Sequence, residues 1–166
     1  MLAQRLGEAL RLRRDSFLWM VTQPRASGDA VLVVAGVFVV WYLLLRTSNL
    51  GVLSELNSLF GGVVSFLMAW VIATAAYWAV GRYLLHGSGQ FWSALPVVGF
   101  AHAPLVLVPI GAKLLGLALV SWAAAAGWAM LMLAAGSRVA LDLDQERPAI
   151  AAAAGVLGWF VGFFRF

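Results

Sequence analysis

The sequence predicts an all-α integral membrane protein, a bundle of about five transmembrane helices. Three observations predict it: an apolar composition, five long stretches without a charged side chain, and a lopsided distribution of arginine between the connecting loops. Of 166 residues, 63% are hydrophobic and only 11% charged, and the mean hydropathy is +0.93. A water-soluble domain is about half apolar and about a quarter charged, so this chain has too little polar surface to cover itself in water. The length suits one compact bundle and no second domain of ordinary size. With no cysteine, disulfides, thiolate metal sites, iron–sulfur ligation and a cysteine nucleophile are excluded.

The uncharged stretches are Ala30 to Leu45, Leu56 to Gly81, Gly87 to Ala112, Leu114 to Ser137 and Pro148 to Phe164. About 20 helical residues, at roughly 1.5 Å each, cross a hydrocarbon layer of about 30 Å. The three middle stretches satisfy this outright. The first reaches it through Thr47 to Leu50 if Arg46 snorkels, and the fifth, with Trp159, Phe160, Phe163 and Phe164 near its end, is long enough to reach the far interface. The expected spans are 30–48, 58–80, 91–111, 114–136 and 148–164, within a transmembrane domain of residues 28–166.

Arginine and lysine in short loops favour the cytoplasmic side. Five spans place Arg5, Arg11, Arg13, Arg14, Arg25, Arg82, Arg138 and Arg147 on one side and Arg46, Lys113 and Arg165 on the other. Eight against three predicts a cytoplasmic N-terminus, an outside C-terminus, and a multi-pass protein of the cytoplasmic (inner) membrane. The orientation stands without the fifth crossing, which moves only Arg165.

No secretory signal is expected, because the first apolar run begins only at Ala30. Residues 1–27 have a different character: Leu2, Leu6, Ala9, Leu10, Phe17 and Val21 recur near helical spacing, with Arg5, Glu8, Arg11 and Asp15 on other faces. This predicts a cytoplasmic amphipathic helix in the headgroup region, its arginines attracted by anionic lipid. A partly disordered basic tail is the alternative. Pro24, followed by Ser27, Gly28 and Asp29, marks the break before the first span.

Helices in lipid associate through close packing at small residues. The second span offers Gly61, Ser65, Ala69 and Ala73 at a spacing of four, and the fifth offers Ala154, Gly158 and Gly162. The fourth carries Ala123 to Ala126 and Gly127. Such ridges serve packing inside the monomer or against another subunit, so other membrane subunits or self-association are expected partners beside the bilayer itself.

The third span contains Pro96, Gly99, His102, Pro104 and Pro109. Each interior proline lacks an amide and releases the carbonyl four residues earlier, so Pro104 frees that of Phe100 and Pro109 that of Leu105. A broken helix is expected, enclosed by protein or lining a polar crevice. His102, the one titratable side chain deep within a span, is a functional candidate by position. Its structural reading is a neutral imidazole donating to a released carbonyl, or to Ser65 or Ser121 across the bundle. As a single imidazole it is also the one conceivable axial ligand for haem.

Gly87-Ser88-Gly89, Phe91-Trp92 and Gly99-Phe100-Ala101 with Pro104 resemble the middle of the Yip1 domain family, and Thr22-Gln23-Pro24-Arg25 is similar to the proline-containing entry of its bacterial members. The resemblance implies five spans, a cytoplasmic N-terminus and no catalytic residues. Eukaryotic members are linked to Rab GTPases and vesicle traffic. No motif here identifies a GTPase partner, and ten arginines against one lysine in so compact a chain look bacterial.

Enzyme signatures are poor. There is no phosphate-binding glycine loop before a lysine, no histidine pair at metal-ligand spacing and no serine in a nucleophile elbow. Asp142, Asp144 and Glu146 alternate like the start of a calcium loop, yet the twelfth position is Ala153, where a bidentate glutamate is required. No metal and no cofactor is expected. Nucleic acid is set aside, because basic residues occur without a continuous face carrying exposed aromatics. The function expected is a non-enzymatic scaffold or accessory subunit of a membrane assembly. The alternatives are a small transporter or channel with a midplane site at the broken third helix, and an auxiliary subunit of a respiratory or photosynthetic complex.

Overall fold

The computed structural model describes residues 2–45, 52–144 and 147–165. Every regular element among the described residues is a helix, without a strand. Two short helices lead, α1 (Leu2–Leu10) and α2 (Arg14–Thr22); α3 (Ala26–Leu45) and α4 (Val52–Ala79) follow, and α4 continues through a π turn, Val80–Leu84. The third span is α5 (Phe91–Phe100), a 3₁₀ turn (Ala103–Val106) and α6 (Leu107–Leu115); α7 (Ala118–Ala140) and α8 (Pro148–Arg165) complete the chain. Four helical segments are long and apolar enough to cross a membrane: Ala26–Leu45, Ser54–Leu84, Phe91–Leu115 and Ala118–Ala140. The fifth apolar helix, α8, has 18 residues, or about 27 Å at the usual rise. The chain is thus an all-α, multi-pass membrane protein of about five spans. The loop expected to extend the first span, Arg46 to Leu50, lies outside the described residues.

Small residues set the closest approach. A methyl group on Gly158 would meet the Ala76 side chain at 2.7 Å and the Ala73 backbone at 3.1 Å, and one on Gly162 would meet the Ala69 backbone at 2.7 Å. Rising positions on α8 therefore face falling positions on α4, so the two run antiparallel with their backbones nearly touching. Gly155 belongs to the same seam, against Leu133 and Tyr77. Gly61 lies outside it: the glycine is exposed, with open space where a Cβ would stand.

Gly99 lies so close to α3 and α4 that a Cβ would meet Ala30 at 2.6 Å and the Trp70 ring at 3.2 Å. The first turns of α3 thus sit level with Trp70, while α4 runs on to Leu84. Near this end of the bundle α3 leaves a column empty, and α2 fills it. Phe17, 1% exposed, lies over Gly136 of α7 beside Val97 of α5, and Trp19 meets Phe100 edge-on at 6.2 Å between centroids. Leu2, Leu6 and Leu10 of α1 pack against the core, and the Leu10 carbonyl accepts from Trp128 Nε1 at 3.2 Å.

Several expected boundaries move. The leading segment is two helices rather than one, because Leu12 takes φ 56° between Arg11 and Arg13 and turns the chain sharply. The break expected at Pro24 falls there, but α3 starts at Ala26, with Asp29 in its first turn, where a carboxylate suits the helix dipole. The division between the third and fourth spans, expected at Lys113, lies instead at Gly116, whose φ of 65° caps α6 in the left-handed conformation. Lys113 is simply part of the last turn of α6.

Candidate functional site

The third span breaks where its prolines demand it. Pro96 is accommodated inside α5; the helix then ends at Phe100, and the amide of His102 bonds the Gly99 carbonyl at 3.1 Å. That tightening to a 3₁₀ pattern withdraws the ordinary amide partner of the Val98 carbonyl. His102 replaces it with its own ring: Nδ1 lies 2.8 Å from the Val98 oxygen. A nitrogen facing a carbonyl must carry the proton, so the ring is the Nδ1–H tautomer and its Nε2 presents a lone pair.

Two tryptophans serve the same span. The carbonyl of Leu105, which Pro109 deprives of an amide, accepts from Trp41 Nε1 of α3 at 2.8 Å. The carbonyl of Leu95 accepts from Trp70 Nε1 of α4 at 3.1 Å. In hydrocarbon an unsatisfied carbonyl costs several kcal/mol, so the broken helix is tolerable because neighbouring helices supply donors. Tyr77 does the same for α7, its hydroxyl donating to the Leu133 carbonyl at 2.9 Å.

His102 is 4% exposed. Its Nε2 is buried without a hydrogen-bond partner and borders a cavity of about 30 Å³ that Ala73, Ala129, Leu133, Gly155 and Trp159 also line. Trp159 stands edge-on to the imidazole, 6.2 Å away between centroids. The space matches one water-sized molecule. A haem bound to Nε2 would require α7 and α8 to part. Among the expected partners of His102, Ser65 donates to Gly61 at 3.0 Å and Ser121 to Leu117 at 2.9 Å, each within its own helix; His102 takes a carbonyl instead, that of Val98, which is neither of the two that Pro104 and Pro109 release.

Of the residues singled out in the third span, Pro96, Gly99, His102 and Pro104 are all buried. Gly99 provides the close approach, and His102 and Pro104 flank the break. Trp41 and Trp70 were not distinguishable in sequence from interface anchors. Their one signal was an indole donor on each helix adjoining a proline-broken span. Asp142 lies away from this site, accepting from the Ser88 hydroxyl at 3.1 Å; Glu146 lies outside the described residues. No group of three metal-ligating side chains occurs among the described residues.

This architecture defines a class: polytopic helical membrane proteins with a proline-broken central span sealed by side chains from its neighbours. The chain belongs to the Yip1 domain family, whose model matches residues 8–164. No curated protein and no solved structure matches it.

Proposed function

We propose that this Yip1-family protein acts non-enzymatically, as a scaffold or accessory subunit of an assembly in the cytoplasmic membrane, with its N-terminus in the cytoplasm and its C-terminus outside. The observation that best supports this is the use made of the broken span. Transporters with discontinuous helices offer unwound carbonyls to their cargo. Here the carbonyls of Leu95, Val98 and Leu105 are engaged by Trp70, His102 and Trp41, and the space beside His102 is about 30 Å³. Carbonyls engaged in this way favour rigidity over passage. The arginine distribution supports the orientation.

A second reading, a small transporter or channel, draws on the open lone pair of His102 Nε2. One experiment separates the two. A scaffold copurifies with a fixed membrane partner in mild detergent, and His102→Ala leaves that association intact. Solute or ion flux in liposomes containing this protein alone, altered by His102→Ala, would overturn the first reading.

A further inference from the structure

A second concave feature lies between α2 and α7, where Leu12, Arg14, Phe17, Ala135, Arg138 and Val139 line a groove of about 310 Å³. The groove is at the lower end of the size range of ligand sites, about 300–1,000 Å³. Its composition divides in two. Leu12, Phe17, Ala135 and Val139 form an apolar floor. Two guanidinium groups, from segments remote in sequence, share the rim.

Both arginines are exposed, and neither has an ion-pair partner among the described residues, where the pair present is Arg5–Glu8 at 3.0 Å. Two like charges lining one groove raise its affinity for an anion. Arg138 sits in the last turn of α7, where a membrane-crossing apolar helix reaches the headgroup layer. The helix dipole there favours a cation and disfavours a bound anion, so one arginine alone would need no ligand. The second arginine and the apolar floor ask for more: a ligand that is anionic at one end and apolar at the other.

We infer that the groove between α2 and α7 is a binding site for an anionic phospholipid, with its phosphate held by Arg14 and Arg138 and the upper methylenes of its acyl chain laid on the half-buried Leu12 and Val139. Arginine suits a phosphate because its planar fork donates two parallel hydrogen bonds. A lipid bound here would join α2 to α7, holding the N-terminal helices on the bundle. The inference does not depend on the scaffold reading.

The test uses full-length protein, delipidated in detergent, titrated with phosphatidylglycerol or phosphatidylcholine and read by native mass spectrometry. Phosphatidylglycerol is expected to be retained in preference. Arg14→Gln with Arg138→Gln should lower its retention about tenfold or more, while Arg11→Gln with Arg13→Gln, which removes the same charge outside the groove, should leave it near the wild-type level. Arg14→Lys with Arg138→Lys, which keeps the charge and loses the fork, should retain the lipid less well than the wild type and better than the glutamine pair. Equal loss in both glutamine pairs, or equal retention of phosphatidylcholine, would overturn the site. Displacement of the lipid by inorganic phosphate at comparable concentration would reduce it to an anion site and also overturn it. In the unaltered protein, phosphatidylglycerol carrying a photoreactive group high on its acyl chain should label peptides containing Leu12 or Val139; labelling confined to other peptides refutes the proposal without any variant.

Discussion

The indole nitrogen of Trp41 donates to the carbonyl of Leu105 at 2.8 Å, the carbonyl that Pro109 leaves without an amide four residues later. A side chain on one helix thus completes a backbone bond that another cannot make. Trp41→Phe keeps most of the ring and removes the donor, and should destabilise the protein by about 1–3 kcal/mol. Pro109→Ala restores an amide that can reach Leu105. In that background the cost of Trp41→Phe should shrink, giving a coupling of about 0.5–2 kcal/mol in a double-mutant cycle. Reversible unfolding in detergent measures both, and strict additivity would sink the account.

His102 holds the Val98 carbonyl in the same manner, so His102→Leu orphans a buried acceptor while also removing the partnerless Nε2. The first effect outweighs the second, and a net loss of about 1 kcal/mol is expected. Thermal unfolding reads the result; a stabilised variant would show that the imidazole is held for something other than Val98.

Gly158 and Gly162 have no room for a side chain against α4. Leucine at either position should separate α8 from Ala69 and Ala73 and cost about 1–3 kcal/mol or more. Gly127 has open space around it, and Gly127→Leu should be neutral in the isolated protein. Should Gly127→Leu instead abolish copurification of a partner while leaving thermal stability unchanged, that face of α7 would be the contact surface.

Orientation is testable because the chain has no cysteine. Single cysteines at Ser88, exposed in the loop after α4 where the neighbouring Gly87 is buried, and at Gln145 should react with an impermeant thiol reagent from the cytoplasmic side. Those at Ser48, Lys113 and Phe166 should react from outside. Labelling at 166 from the inside would make the last helix re-entrant.

The spans were legible in the sequence because lipid imposes one rule, about 20 apolar residues per crossing, on any helix. The break near Pro104 was legible too, since a missing amide is a local property. The donors that repair it were not. That Trp41 reaches Leu105 depends on the register between α3 and the 3₁₀ turn, which no local pattern encodes. Lys113 misled because a charge was read as a boundary where glycine geometry at Gly116 decides. The Ala69–Gly162 and Ala73–Gly158 approaches pair two stripes visible in the sequence, whose mutual alignment was hidden until α4 and α8 were placed side by side.

The column completed by α2 carries a temporal consequence. Phe17 rests on Gly136 and beside Val97, so α2, which precedes both of their helices in the chain, has no seat until two later spans have entered the bilayer. During synthesis that segment must wait at the membrane surface, its aromatic side chains uncovered. A protease supplied at that stage should trim it from nascent chains halted before α7, and spare it once α7 is in place.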